Sequence, residues 1–336
     1  MKPIPLVSGW NLLPFARFLR DIGAPVERWL AESGIPPGVL EAPDQPVPFE
    51  WALDFAERAA REEGADTLGI DVGRRTAAES LGSFGTALAR CVTFYDRMET
   101  CRRLLSRVNN RETMWMEVDG STARVHANLA GVEHPGLRHS DDFTLMLILE
   151  ALGRAAGAGW KPDGIRLPGM RSQRFARDEL FQGVRIDYGA PDLAVVFSRE
   201  LLSRPLPGLA GQRATRCRSG VSGETRPLAS DFAGSLESTI EALYFAGCPT
   251  IHDLADVAHT TPRTLQRRLA ECGTTLRQVV DRARFRLADE YLRDPSASVT
   301  GIALELGYSD STAFSRAFRR MAGVAPSTYR AQRLDA

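Results

Sequence analysis

The chain has 336 residues, 43% of them apolar and 25% charged, with 42 basic side chains balanced by 42 acidic ones. That length suits about two domains at roughly 150 residues each, and the composition excludes disordered, collagen-like and disulfide-scaffold proteins. Neutral charge gives no bulk attraction to nucleic acid, and the basic residues are nearly all arginine, so arginine abundance alone identifies no partner. The opening stretch is interrupted by Pro14, Arg17 and Arg20, unlike the apolar segment of a secretion signal. The most apolar run, Phe143 to Leu149, falls far short of the ~20 residues that span a bilayer. A cytoplasmic chain without a membrane partner is expected. The cysteines Cys91, Cys101, Cys217, Cys248 and Cys272 form no C-x-x-C pair, so neither a disulfide framework nor a zinc module is expected.

In chain order, segments 10–32 and 48–63 read as helical, with Pro/Gly breaks between them. Leu81 to Val108 reads as a long amphipathic helix with a break near Thr93. Thr113 to Val118 and Ser121 to Leu129 alternate apolar and polar residues around Asp119-Gly120, a strong hairpin signal. Ser140, followed by Asp141 and Asp142, suits the start of a helix running to about Ala156. Val184 to Tyr188 and Leu193 to Phe197 read as further strands. Residues 1–205 thus form an α+β domain. Residues 206–230 form a Gly/Pro/Arg-rich linker, and 231–336 an all-α domain of short helices.

A two-residue turn at Asp119-Gly120 pairs Trp115 with Arg124 and Thr113 with His126, and puts Met114 and Met116 on the opposite, apolar face. Trp115, Arg124 and His126 then offer an aromatic platform with polar anchors for a ligand; the competing reading is a solvated face carrying a Trp–Arg stack. Phe84 is a further pocket candidate, although its apolar ring suits a core better than a pocket. His134, His139, Asp141 and Asp142 match no standard metal spacing. Phosphate-loop, nucleophile-elbow and zinc-protease motifs are not found, so no cofactor, metal or catalytic site is expected.

The all-α region contains an approximate repeat, Asp253 to Leu269 and Ile302 to Phe318. Each copy has a short apolar helix, a turn, a small hydroxyl residue and a second helix with apolar residues four apart, Leu265/Leu269 and Phe314/Phe318. Small Ala255 and Ala303 permit a close helix crossing, and Gly307 supplies a left-handed turn. Thr261 and Ser309 are candidate N-caps, with Pro262 in the tolerated first helical position. This is the physics of a helix-turn-helix pair. With the apolar residues inward, Arg263, Gln266 and Arg267 share one outer face, and Ser311, Thr312, Ser315 and Arg316 the other. These side-chain types read base edges. Arg268, Arg319 and Arg320 flank them and suit phosphates, with the caps Thr261 and Ser309 as further backbone contacts. The domain is neutral, with 13 arginines and 13 acids from Asp231 onward, but segments 261–270 and 311–320 each hold three arginines and no acid. Thr275 to Arg293 reads as one linking helix of about 28 Å, close to the ~34 Å between successive major-groove faces.

The tandem resembles the AraC/XylS class of bacterial transcription regulators, most specifically from Gly307-Tyr308-Ser309-Asp310 through Phe314, Arg316, Phe318 and Gly323 to Pro326 and Tyr329. The match covers about 100 residues. Position by position, it implies base contacts from Arg263, Gln266, Arg267, Ser311, Thr312, Ser315 and Arg316. It also implies recognition helices 262–270 and 311–321 in successive major grooves of promoter DNA. His259 stands where the first turn of such proteins usually has a small residue, and histidine tolerates a left-handed backbone better than most. Leu81-Gly82-Ser83-Phe84-Gly85, with the run from Phe181 to Pro207, resembles the long arabinose-binding-like ligand domain of one branch. That resemblance implies a small-molecule effector, a surface for homodimer formation, recruitment of RNA polymerase and an activating role. Two alternatives stand beside it. One is a DNA-binding module fused to a repair-type enzyme, which needs a cysteine-rich zinc site and a Pro-Cys-His motif that residues 1–200 lack. The other is a regulator controlled by a partner protein.

Overall fold

The structure, a computed structural model, describes residues 2–129, 131–170, 172–175, 178–206, 227–244, 248–294 and 296–334. Contacts divide the chain into two units, Pro5–Leu228 and Ala229–Ala336 together with Met1–Ile4. The expected linker at 206–230 lies largely outside the described residues.

The first unit is α+β, as the sequence implies. Its elements are β1 (Leu6–Ser8), α1 (Gly9–Asp21), α2 (Val26–Glu32), β2 (Pro46–Pro48), α3 (Phe49–Glu62), α4 (Leu68–Arg75), α5 (Gly82–Leu88), α6 (Phe94–Leu104), β3 (Glu112–Asp119), β4 (Thr122–Leu129), α7 (Leu137–Ala156), β5 (Gly164–Leu167), β6 (Ile186–Tyr188) and β7 (Leu193–Ser198). β1 and β2 pair with each other, and the other strands form a sheet in the order β3-β4-β7-β5-β6. Only the β5–β6 pairing is parallel. The inner face is read from alternation: Ala123, Val125 and Ala127 of β4 and Leu193, Val195 and Phe197 of β7 are buried. They share a core with Phe94 and Met98 of α6 and Leu145, Leu149 and Leu152 of α7. A second core joins α1 to α4 around Leu19, Trp29, Leu30 and Phe55, and α7 reaches it through Phe143. α7 buries residues all round its circumference because it serves both cores.

One local expectation holds and two change. The 81–108 helix is two, and the break falls at Thr93, whose side chain and that of Asp96 form a capping box for α6. The hairpin pairs Trp115 with His126 and Asp119 with Thr122, so the turn centres on Gly120-Ser121. Gly120 has φ +58° while Asp119 is not left-handed, which fits a turn needing glycine at its first central position. The two-residue change of register keeps every side chain on its expected face. Finally, α7 begins at Leu137, so Ser140, Asp141 and Asp142 lie inside the helix.

The second unit is entirely helical among the described residues: α8 (Phe232–Tyr244), α9 (Ile251–Val257), α10 (Pro262–Glu271), α11 (Leu276–Tyr291), α12 (Val299–Glu305), α13 (Ser311–Ala322) and α14 (Pro326–Leu334). α8 lies along α11, where buried Glu237 meets Arg282 and Arg286, each at 2.9 Å. The Ile4 N–H donates to Ser235 Oγ on α8 at 2.9 Å. No described helix is long and apolar enough to cross a membrane.

Candidate nucleic-acid interface and effector cavity

α9–α10 and α12–α13 are built alike. The N–H of His259 bonds to the carbonyl of Asp256 and that of Gly307 to Leu304, both at 3.0 Å. One residue on, Thr260 closes onto Ala255 and Tyr308 onto Ala303, both at 2.9 Å. His259 has φ +46° and Gly307 φ +75°. His259 is the one non-glycine left-handed residue among those described, so the first turn keeps its shape without glycine. Thr261 caps α10, accepting from the N–H of Thr264 at 3.3 Å. The expected second cap is corrected: Asp310 accepts from Ala313 N–H at 2.7 Å, and Ser309 Oγ donates to Asp310 Oδ2. A carboxylate holds a helix N-terminus more strongly than a hydroxyl, through charge as well as hydrogen bonding.

Leu265, Leu269, Phe314 and Phe318 are buried, and the Phe318 ring packs tilted against Phe285 and edge-on against Tyr329. That burial turns the opposite faces outward. Arg263, Gln266 and Arg267 on α10 and Thr312 and Arg316 on α13 are exposed, with Ser311 and Ser315 half-buried beside them. Arg267 lies 3.7 Å from exposed Glu271, a weak pair in water. Among the candidate phosphate-binding residues, Ser309, Thr261, Arg319 and Arg320 are exposed, Arg320 reaching Asp281 at 3.2 Å. Arg268 is half-buried, its guanidinium 5.7 Å from the Phe232 ring centre. α11 has 16 residues, about 24 Å at 1.5 Å per residue, a turn shorter than expected.

The first unit holds a cavity of about 100 Å³, partly open to solvent, between its two cores. α1 and α3 supply Leu12, Phe15, Phe49 and Leu53, α5 and α6 supply Phe84, Arg97 and Cys101, β3 supplies Glu112, and α7 supplies Ser140, Phe143, Thr144 and Leu147. Glu112 accepts from Thr144 Oγ1 at 3.1 Å and from Asn109 Nδ2 at 3.4 Å. Burial nevertheless pushes its carboxyl up to about 7. Burial likewise pushes the Cys101 thiol up to about 12, so it stays protonated at neutrality.

The helix-turn-helix domain of the family comparisons matches residues 254–332. The arabinose-binding domain of AraC transcription regulators matches residues 23–206, more than half of the chain. The chain belongs to the AraC family of transcription regulators. Among its relatives, the HTH-type transcriptional regulator VirS of Mycobacterium tuberculosis is 23% identical over 330 residues, 97% of this chain and 96% of that protein. The ornithine utilization regulator of Pseudomonas aeruginosa is 27% identical over 307 residues, 88% and 87% of the two chains. The crystal structure of the regulator CdpR of Pseudomonas aeruginosa aligns with a TM-score of 0.38 at 22% identity, covering 91% of this chain and 96% of that one. Both matched domains are those of transcription regulators, so the fused-enzyme alternative is set aside.

Of the four residues expected at a pocket in this AraC-family chain, Phe84 lines the cavity. Trp115, Arg124 and His126 lie on the outer face of the sheet, opposite cavity-lining Met114. There Trp115 stacks on His126 at 4.8 Å with the rings nearly parallel, in place of the expected Trp–Arg pair. His126 Nδ1 lies 3.1 Å from Asp192 Oδ2, and its Nε2 3.4 Å from Glu117 Oε2. Arg97 and Glu112 went unnoticed in the sequence, yet Arg97 carries a readable signal. It occupies the apolar stripe Phe94, Arg97, Met98, Cys101 of α6, where a charge is out of place.

The raised Glu112 carboxyl has a consequence for stability. The folded state holds the proton more tightly than the unfolded one, so stability from this group is lost as pH rises from about 4.5 to about 7. Glu112→Gln is expected to match wild type in urea unfolding at pH 4.5 and to exceed it at pH 8 by up to about 3 kcal/mol, at 1.36 kcal/mol per pH unit. Equal stability at both pH values would mean that Glu112 ionises as readily folded as unfolded.

Proposed function

We propose that this AraC-family protein is a ligand-responsive, sequence-specific regulator of promoter DNA. α10 and α13 enter successive major grooves. Arg263, Gln266 and Arg267 read base edges in one, Ser311, Thr312, Ser315 and Arg316 in the other, while Thr261, Arg268, Ser309, Arg319 and Arg320 hold phosphates. The observation that carries this reading is the repeated geometry: two turns closed by matching hydrogen bonds, each followed by a helix whose outer face is basic and free of acids at 261–270 and 311–320. α11, about 24 Å long, links the pair within one chain.

The cavity of the N-terminal unit is the effector site. An effector bound there shifts the population between DNA-competent and weaker states. Activation through RNA polymerase, a homodimer formed through the N-terminal unit, and action in the cytoplasm complete the proposal, each carried by family resemblance.

Selection of bound fragments from the source genome by the full-length protein, with and without cell metabolites, tests this reading. Enriched sites carrying two short elements about one helical turn apart are the expected result. No enrichment by folded protein in either condition would overturn it. Arg267→Ala and Arg316→Ala are each expected to weaken cognate binding by ~1–3 kcal/mol with a smaller loss on random DNA, as titrations on both DNAs would show. Arg319→Ala should weaken both DNAs alike and reduce the salt dependence by about one counterion. Equal losses on both DNAs for Arg267→Ala and Arg316→Ala would leave those residues with phosphate contacts only.

A further inference from the structure

The N-terminal cavity is mostly apolar, yet one acid stands in its wall without a cation. Glu112 opens β3 and lines the cavity beside Thr144 of α7, whose Oγ1 donates to Glu112 Oε1 at 3.1 Å. Asn109 Nδ2 lies 3.4 Å from the other oxygen. Glu112 and Thr144 are both half-buried, so this bonded pair keeps accessible surface where the cavity opens. Two hydrogen bonds leave part of a carboxylate's acceptor capacity unused. Burial and those two bonds are what act on the carboxyl, with no arginine among them. The ionisable groups that feel its charge are Asp141 on α7 and Cys101 on α6. Asp141 is itself pushed up to about 7, by burial and by the charges of Asp142 and Glu112. Arg97 is engaged with Glu79, and Arg174 with Asp142. None of these groups offers Glu112 a positive charge.

Two more polar side chains line the cavity, Asn11 of α1 and Ser140 of α7. Both are half-buried, and neither side chain makes a hydrogen bond among the described residues. An ammonium carries three donors and no acceptor. Glu112, Asn11 Oδ1 and Ser140 Oγ put three acceptors in one cavity. Ionised Glu112 in an empty cavity is a charge without a partner, which is costly, and an ammonium supplies that partner. A carboxylate ligand would find only neutral donors and would meet Glu112 as a like charge. A sugar, with hydroxyls along its ring, would leave most of them without partners against the apolar remainder of the wall.

We propose that the cavity takes a compact primary amine with an apolar body, its ammonium donating to Glu112 and its hydrocarbon part lying among Leu12, Phe15, Phe49, Phe143 and Leu147. The inference rests on reading the cavity as the effector site. A free volume of about 100 Å³ is somewhat below the ~150 Å³ of an apolar cavity that takes benzene. The fit is therefore a short chain or a single small ring. The ammonium and a proton compete for the same carboxylate. Affinity for the amine therefore rises with pH until the Glu112 carboxyl of the empty cavity, at about 7, is ionised.

The test is calorimetric titration of the full-length protein with pentylamine, 1-pentanol and pentanoate, three probes of similar size and different head charge, at pH 6 and pH 8. At pH 8 pentylamine is expected to bind at least ~10-fold more tightly than either of the others, as a charge-assisted bond to a carboxylate implies. Its affinity should rise about 10-fold from pH 6 to pH 8, following the ionised fraction of a group titrating at about 7. Glu112→Gln, which the stability argument above expects to fold, should erase both the preference and the rise while leaving pentanol binding intact. Asp141→Asn should keep both, which separates Glu112 from its titrating neighbour. Equal affinity for pentylamine and pentanol at pH 8, a preference for pentanoate, or a rise that survives Glu112→Gln would overturn the amine class and leave the effector site in place. Binding of none of the three at either pH, or binding to folded protein unchanged by Ala56→Leu, which crowds the cavity, would overturn the effector-site reading itself.

Discussion

Alanine at Gly69 is expected to lower the unfolding temperature of the N-terminal unit by at least about 6 °C, the equivalent of ~3 kcal/mol for a unit of this size. Gly69 and Gly73 lie one turn apart on the face of α4 that meets α7. A Cβ at Gly69 would stand 2.3 Å from the His139 carbonyl oxygen and 2.9 Å from Asp142 Cβ; at Gly73 it would stand 2.6 Å from Met146 Cβ. The obstacle at Gly69 includes the backbone of α7, which cannot swing aside as a long side chain can. The two helices would have to separate, loosening Met146 and wetting buried His139 and Asp142. Overpacking of this kind costs ~1–3 kcal/mol or more, and disturbing the polar layer adds to it. Gly153→Ala is the matched control. It lies inside α7 with nothing within 4 Å of its Cβ, so it should stabilise by roughly 0.5–1 kcal/mol through helix propensity alone. All five tryptophans, Trp10, Trp29, Trp51, Trp115 and Trp160, belong to this unit, and their fluorescence reports its melting. A Gly69 variant that melts with the wild type would show that α4 moves off α7 without cost.

Arg174→Met is expected to destabilise the protein by ~3–5 kcal/mol at pH 8, the usual cost of leaving a buried charge without its partner, and by much less at pH 5. Asp142 is fully buried on α7, with Arg174 Nη2 donating to its Oδ1 at 3.1 Å and Nε 2.8 Å from its Oδ2. Burial outweighs the arginine and pushes Asp142 up from 3.8 to about 6. Because the folded value is the higher, stability from this group is lost as pH rises from about 4 to about 6 in the wild type. Without Arg174 the carboxyl is pushed higher still, and the loss extends past neutrality. Urea unfolding at pH 5 and pH 8 separates this from simple loss of packing. A cost independent of pH would assign the effect to the contact of Arg174 with the Phe175 ring, 4.7 Å away. Arg174→Met combined with Asp142→Asn should recover much of the loss at pH 8.

The DNA-binding unit was legible because its determinants are local. Caps such as Thr261, left-handed turns such as Gly307 and apolar pairs four residues apart lie within a few positions of what they specify. The choice between Ser309 and Asp310 as the second cap escaped, since both side chains accept hydrogen bonds and the chain direction at the turn decides between them, and α11 is about a turn shorter than expected. In the first unit the hairpin was found with its faces correct, but its register was not. Asp-Gly and Gly-Ser are both turn-forming pairs, and the conformation of Asp119 settles which is central. The α7 start was misplaced because Ser140, Asp141 and Asp142 look like a helix beginning, whereas Asp142 serves a buried ion pair with a residue 32 positions away. β1, β2 and β5 are three or four residues long, too short for their own periodicity to mark them. The cavity is the least local feature, assembled from five helices and two strands, and so it drew no expectation beyond Phe84.

The position of β3 at the margin of its sheet bears on how the protein behaves when concentrated. Among the described residues this eight-residue strand has a neighbour on one side only, β4. Its far end is exposed and reads Glu117-Val118-Asp119. A long unpaired strand edge is a template for stacking another chain, and flanking charges are the usual guard against it. Two carboxylates astride exposed Val118 make a second copy of this edge repel the first, so the chain carries its own safeguard against aggregation where its sheet is most open.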